Sequence, residues 1–231
     1  MNDGTYLVAG RTRWAASAFD ERLADAPGLW RFVREPAELS AVLEEGTPRF
    51  IFFLHWSWIV PEDVVSSVEC VCFHMTDLPE GRGGSPLQNL IVAGREDTVL
   101  TAFRMDTGLD TGPVYAKRPL SMLGAAEEVY LRAARMSADL ARWIAEVEPM
   151  PIPQRGAVSV LRRRTPDDSE IPASIPSLDA LHNHLRMLDA EGYPHAFFEH
   201  GGYRYTFRRA VRYTERIEAD VVITLAEGDE L

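Results

Sequence analysis

Four features able to carry chemistry stand close together in this sequence. His74 directly follows the apolar run VECVCF, and a glycine-rich stretch, LPEGRGG, begins four residues later. Gln88 and Asn89 open the next helical stretch, and Asp110 lies in the turn MDTGLDTG, 36 residues after His74. An imidazole can take and return a proton near neutral pH. A carboxylate held in a tight turn can orient that ring and offset its charge once protonated. The glycines would let a ligand approach the backbone closely. Each feature also has a plainer role: a histidine at a strand end is more often structural, Arg82 can tie down its own loop, and Gln88 and Asn89 can cap a helix.

The elements around these residues follow from hydrophobic periodicity. Residues 5–9, 29–33, 49–54 and 68–73 read as strands, and 12–25 and 36–45 as helices between them. The run RFIFFL is apolar almost throughout, as in a strand buried on both faces. Pro61 starts a short helix. This alternation predicts a twisted, mainly parallel sheet flanked by helices, an α/β fold. His74 then lies at the carboxyl end of a strand, where open α/β sheets bind ligands. Residues 87–93 read as helical, 98–105 and 113–120 as strands, and 125–147 as the clearest helix, with Val129, Ala133, Met136, Leu140, Trp143 and Val147 in one stripe. Residues 177–190 form a second amphipathic helix capped by Ser177. Three strands follow at 195–199, 203–212 and 217–225, with a frayed tail. His182 and His184 are expected on the surface.

Composition bounds the function. The chain has 231 residues, 46% hydrophobic and 26% charged, which suits one soluble domain or one domain with an appendage. No apolar run reaches the roughly 18–20 residues of a membrane span. No signal peptide is visible, so a cytoplasmic protein without membrane partners is expected. The net charge of −11 argues against a nucleic-acid partner. Cys70 and Cys72 are too close for an unstrained disulfide and too few for a metal site. The division expected is 1–150 for a catalytic domain, 151–170 for a Pro- and Arg-rich linker or strand-like surface crossing, and 171–231 for a small helix plus β-hairpin subdomain.

The strings FHMTDLPEGRGGSPLQNLI and MDTGLDTGPVY resemble the N10-formyltetrahydrofolate-dependent formyltransferases. That family carries Asn-x-His, a Leu-Pro-x-x-Arg-Gly loop and a Leu-Asp-Thr-Gly turn. His74 matches the histidine, and Leu78, Pro79, Arg82 and Gly83 match the loop. Gln88 falls at a glutamine position, and Leu109, Asp110, Thr111 and Gly112 match the turn. The segments FFLHWSWIVPE and LRMLDAEGYPHAFFEHGGYRYTFRRA are similar to sugar N-formyltransferases. The resemblance implies His74 and Asp110 as the catalytic pair. It implies N10-formyltetrahydrofolate held by Leu78, Pro79, Arg82, Gly83, Gln88, Arg104, Met105, Asp106 and Leu109. His55, Trp56, Trp58, Cys72 and Asp77 are the candidates for contact with the accepting substrate, although Trp56 and Trp58 suit core packing as well. No metal is implied.

One position departs from the family. Cys72 stands where the family has the asparagine that donates a hydrogen bond to the formyl oxygen. A thiol is a weak donor, and loss of one such donor costs a factor of about 10²–10³ in rate. His74 with a backbone amide is the expected substitute. The implied reaction is formyl transfer to the amine of an amino sugar, which is a small-molecule partner, by a homodimer. An amino acid, ornithine-like amine or hydrazine acceptor is the alternative, followed by hydrolysis and by a silent folate-binding homologue. Methionyl-tRNA is disfavoured by chain length and charge.

Overall fold

Alternate residues of the buried strands feed two separate cores. In Phe50–Phe53 all four side chains are buried; Phe50 and Phe52 join one core, and Ile51 and Phe53 the other. Tyr6 and Val8 divide from Leu7 and Ala9 in the same way. The period-2 alternation of a strand thus serves helices on both faces of one sheet. Each such Phe, Ile or Leu contributes about 1.5–3 kcal/mol by leaving water.

The computed structural model describes residues 4–226. In chain order the first half comprises β1 (Thr5–Ala9), α1 (Arg13–Arg22), β2 (Leu29–Val33), α2 (Pro36–Glu45), β3 (Phe50–Phe53), α3 (Glu62–Ser67), β4 (Glu69–His74), β5 (Arg82–Gly83) and α4 (Pro86–Val92). The second half comprises β6 (Asp97–Arg104), β7 (Val114–Ser121), α5 (Ala126–Val147), β8 (Val160–Leu161), α6 (Leu178–Arg186), β9 (Phe197–His200), β10 (Tyr203–Arg212) and β11 (Ile217–Leu225). The main sheet has the order β2-β1-β3-β4-β6-β7. Strands β1 to β4 run parallel, and β6 and β7 close the sheet antiparallel. The mainly parallel architecture is therefore as the periodicity predicts. The frayed tail expected after 225 falls mostly outside the described residues.

Helix α5 buries Val129, Tyr130, Ala133, Leu140 and Ile144 against the larger core. Helix α6 begins at Ser177, whose hydroxyl accepts from Ala180 N–H at 3.1 Å, as its sequence predicts. It ends at Arg186, earlier than expected, and the chain then turns so that the Asp189 carboxylate accepts from Arg209 N–H. His184 is not a surface residue. It is 6% exposed and sits 3.3 Å from the Ser169 carbonyl, because α6 packs against both α4 and β10. Strands β9, β10 and β11 form an antiparallel sheet of three strands. No helix among the described residues is long and apolar enough to cross a membrane.

Candidate active site

Strand β4 delivers His74 to the carboxyl end of the sheet, where its ring is almost fully buried. His74 Nε2 lies 2.8 Å from the Gly81 carbonyl. A carbonyl only accepts, so this contact fixes the proton on Nε2. The unprotonated Nδ1 then faces Asp110, with 3.8 Å between Nδ1 and Oδ2. The same Oδ2 accepts a hydrogen bond from Gly83 N–H at 2.8 Å. Gly83 presents that amide at φ +100°, and a side chain there would strike the Leu161 carbonyl at 2.6 Å. Asp110 itself adopts φ 52°. Five non-glycine residues hold positive φ among the described residues, and three of them, His55, Ser85 and Asp110, line the clefts around this pair. Backbone strain concentrates where geometry matters for chemistry.

The segment expected as a linker or strand-like crossing is stitched into this site. Strand β8 pairs with β5 in parallel. Gln154 Nε2 donates to the carbonyls of both Asp110 and Gly112 at 2.8 Å, and its Oε1 accepts from Arg82. Ser159 Oγ accepts from Gly81 N–H at 2.8 Å. The Gln154 and Ser159 side chains therefore lock the histidine-facing loop to the aspartate turn.

Two clefts open on either side of the pair. One has a volume of 620 Å³ and is lined by Phe53, Trp58, Phe103, Met105, Asp106 and Asp110 among others. The other has a volume of 380 Å³ and reaches from His74 past Gln88 and Tyr130 to Arg164. Four residues, Trp56, Ser57, Cys72 and Arg163, line both. A stack of rings backs the smaller cleft: Trp14 lies parallel to Tyr130 at 4.6 Å, and His55 meets both edge-on. Tyr130 donates to Tyr193 OH at 2.6 Å and accepts from Gln88 Nε2 at 3.0 Å. Burial pushes the His55 imidazole down to about 4, so it is neutral near pH 7. Burial, aided by the charge of Asp110, pushes the Cys72 thiol up to about 12, so it stays protonated.

The family model described as formyl transferase matches residues 7–140, more than half of the chain. The chain belongs to the formyl transferase family. A second family model, described as the methionyl-tRNA formyltransferase C-terminal domain, matches residues 166–224. A methionyl-tRNA formyltransferase from Sinorhizobium medicae is 35% identical over 151 residues, covering 61% of this chain and 47% of that protein. The chain thus spans about half the length of the curated relatives it matches. A solved chain titled methionyl-tRNA formyltransferase from Clostridium thermocellum superposes with a TM-score of 0.89 at 38% identity. The match covers 96% of this chain and 99% of that one. A sugar N-formyltransferase from Shewanella shares the fold, with a TM-score of 0.66 at 15% identity over 91% of this chain and 98% of that one. The relatives of higher identity therefore carry the methionyl-tRNA name, whereas the sequence motifs suggest the sugar subgroup. A chain of nearly equal extent bears the methionyl-tRNA name, so length does not exclude that acceptor.

The other residues singled out from the sequence fall into four groups. Met105, Asp106, Leu109 and Trp58 line the larger cleft, and Gly83, Gln88 and His55 the smaller, while Trp56 and Cys72 line both. Gln88, implied as a folate contact, is buried on the smaller-cleft side among Tyr130 and the Met187 carbonyl. Leu78, Pro79, Arg82, Asp77 and Arg104 line neither cleft. Leu78 is fully buried, Asp77 pairs with Lys117, and Arg82 is engaged by Gln154. The loop residues thus hold the backbone that faces His74. Sequence reasoning missed Gln154, Ser159 and Tyr130. Only Tyr130 left a signal, as a polar-tipped ring beside the apolar stripe of α5. Among the described residues no group of three or more His, Cys, Asp or Glu side chains is placed to hold a metal.

Proposed function

We propose that this chain transfers the formyl group of N10-formyltetrahydrofolate to the primary amine of an amino sugar carried on a nucleotide. The observation that supports the reading is the pair His74–Asp110 between two clefts of unequal size and character. The larger cleft suits the folate: Phe53, Phe103, Trp58 and Met105 offer apolar walls to a flat ring, and Asp106 offers acceptors to its N–H groups. The smaller cleft suits a sugar-sized amine.

When bound, the folate supplies an electrophilic formyl carbon. The amine nitrogen forms a bond to that carbon, and His74 Nδ1 takes the proton released. The resulting imidazolium lies between the Gly81 carbonyl and the Asp110 carboxylate, both of which stabilise it. The bond from the formyl carbon to N10 then breaks, its electron pair stays on nitrogen, and His74 returns the proton there. The weak donor at Cys72 leaves the charge on the formyl oxygen less well stabilised than an amide side chain would.

A second reading, methionyl-tRNA as acceptor, rests on the 38% identity to a chain of that title over nearly its whole length. The net charge of −11 favours the small acceptor. One experiment separates the two. The protein is incubated with N10-formyltetrahydrofolate and a panel of nucleotide amino sugars, free amino sugars, amino acids and methionyl-tRNA. Mass spectrometry then reads the gain of one formyl group. A formylated nucleotide amino sugar supports the first reading and formyl-methionine the second. Free formate alone replaces both with hydrolysis.

A further inference from the structure

The His74–Asp110 pair depends on a peptide whose direction is set from outside its own loop. The Gly81 carbonyl, which fixes the proton of His74 on Nε2, belongs to the peptide joining Gly81 to Arg82. Gly81 lies at φ +73°, and a Cβ there would strike the Thr76 side chain at 2.8 Å. The position therefore requires glycine, and glycine has wide freedom in φ and ψ. Partners must hold the carbonyl in its direction. Thr76 Oγ1 donates to it at 3.2 Å. The other restraint comes from Ser159, 78 residues beyond Gly81. Arg82 N–H, on the same peptide as the carbonyl, donates to the Ser159 carbonyl at 3.0 Å. Gly81 N–H, on the preceding peptide, donates to Ser159 Oγ at 2.8 Å. Ser159 N–H donates to the Pro79 carbonyl at 3.4 Å. One serine thus engages the loop through its amide, its hydroxyl and its carbonyl.

The segment that carries Ser159 is held by polar contacts rather than by burial. Residues 155–160 are all exposed, and Val158 and Val160 are 59% and 68% exposed. Strand β8 pairs with β5 only at Arg82 with Val160 and Gly83 with Leu161. Gln154 anchors the near end of the segment on the Asp110 turn and on the Arg82 side chain. The consequence of these contacts reaches the ring of His74. Were the Gly81–Arg82 peptide to turn over, Arg82 N–H would face His74 Nε2. An N–H only donates, so Nε2 would become the acceptor and the ring proton would sit on Nδ1. Nδ1 is the nitrogen 3.8 Å from Asp110 Oδ2. Carrying a proton already, it could not take one from an attacking amine. The direction of one backbone carbonyl therefore decides whether the histidine is a base at the nitrogen beside Asp110.

We infer that Ser159 is a positioning residue that sets the tautomer of His74, acting through the Gly81–Arg82 peptide. Its consequence for catalysis rests on the formyl-transfer reading, but the tautomer itself can be read without turnover. Ser159→Thr keeps the hydroxyl, and Ser159→Val has the shape of that variant without it. Ser159 is exposed, so the added methyl has room, and Ser159→Ala serves if the valine variant does not fold. Each protein is labelled with 15N in its histidine rings, and the ring nitrogens are observed by NMR in alkaline solution, with His74→Gln identifying the signals of His74. The wild type and Ser159→Thr should carry the proton on Nε2. Ser159→Val should show a mixture with the Nδ1–H form. A wild-type tautomer in both Ser159→Val and Ser159→Ala, or the same change in Ser159→Thr as in Ser159→Val, overturns the inference. The second arm is kinetic. Ser159→Val should lower kcat by up to about 10²-fold and leave KM for the folate unchanged, and Ser159→Thr should restore kcat. Full kcat in a variant with the mixed tautomer would overturn the link between tautomer and transfer. A hydroxyl-dependent tautomer, with no formyl transfer to any amine by the wild type, would sustain the positioning role and overturn the formyl-transfer reading.

Discussion

The two clefts share a wall but are built differently. The larger is lined by residues at the ends of β3 and β6 and by the aspartate turn, and its charged side chains include Glu62, Asp106 and Asp110. The smaller is framed by α4, α5 and the 163–169 segment, and it carries Arg164 with Asp168 and a chain of hydroxyl and amide groups, whereas Arg163 lines both clefts. Apolar walls with a few acceptors suit one flat, nitrogen-rich ring system. Hydroxyl and amide groups suit a polar molecule. Under the proposed reaction, the His74–Asp110 pair would serve two unlike ligands because each cleft is assembled largely from its own elements.

The comparison is broken most directly at the shared wall. His74→Ala is expected to lower kcat for formyl transfer by about 10²–10⁴, with circular dichroism unchanged. Retained turnover would remove the pair from the mechanism. Cys72→Asn is the next largest effect and has the opposite sign. Restoring an amide donor at that position should raise kcat by up to about 10²–10³, and an unchanged or lower kcat would mean that another group already supplies the bond. Smaller effects should separate the clefts. Tyr130→Phe removes one hydroxyl from the Gln88–Tyr193 chain and should raise KM for the amine by about fivefold, close to 1 kcal/mol, while Trp58→Ala raises KM for the folate alone. Crossed effects would show that the clefts are not separate sites.

The smallest expected effect is on stability against pH. His55, His182, His184 and His195 are all held below their ordinary pKa, chiefly by burial, and His55 is at about 4. The unfolded chain therefore binds protons first as the pH falls. Stability is fully present above the unfolded value of about 6.5 and declines toward about 4. Urea midpoints measured between those values should fall with acid, and His55→Gln should flatten the decline. A flat profile in the wild type would contradict the buried state of these rings.

Much of this was legible along the chain. The run RFIFFL and the stripe on α5 mark a two-sided sheet and its covering helix, because burial imposes periods of 2 and 3.6 that survive in one dimension. His74, the glycine loop and Asp110 could be read as a site because each lies at the end of an element. Other features were illegible for a definite reason. Gln154 lies 44 residues from Asp110 and Ser159 lies 78 from Gly81, in a proline-rich stretch with no period to betray a role. His184 read as exposed because its helix is packed on two sides rather than one.

The sequence by itself determined the strands, the helices and the residues placed at the sheet's carboxyl end, since these depend on local propensity and on spacing. Only the tertiary structure decided which ring nitrogen of His74 is free and how one wall divides two clefts. Those properties depend on distances of a few ångströms between residues far apart in the chain, and such distances are set by packing, which no local pattern encodes.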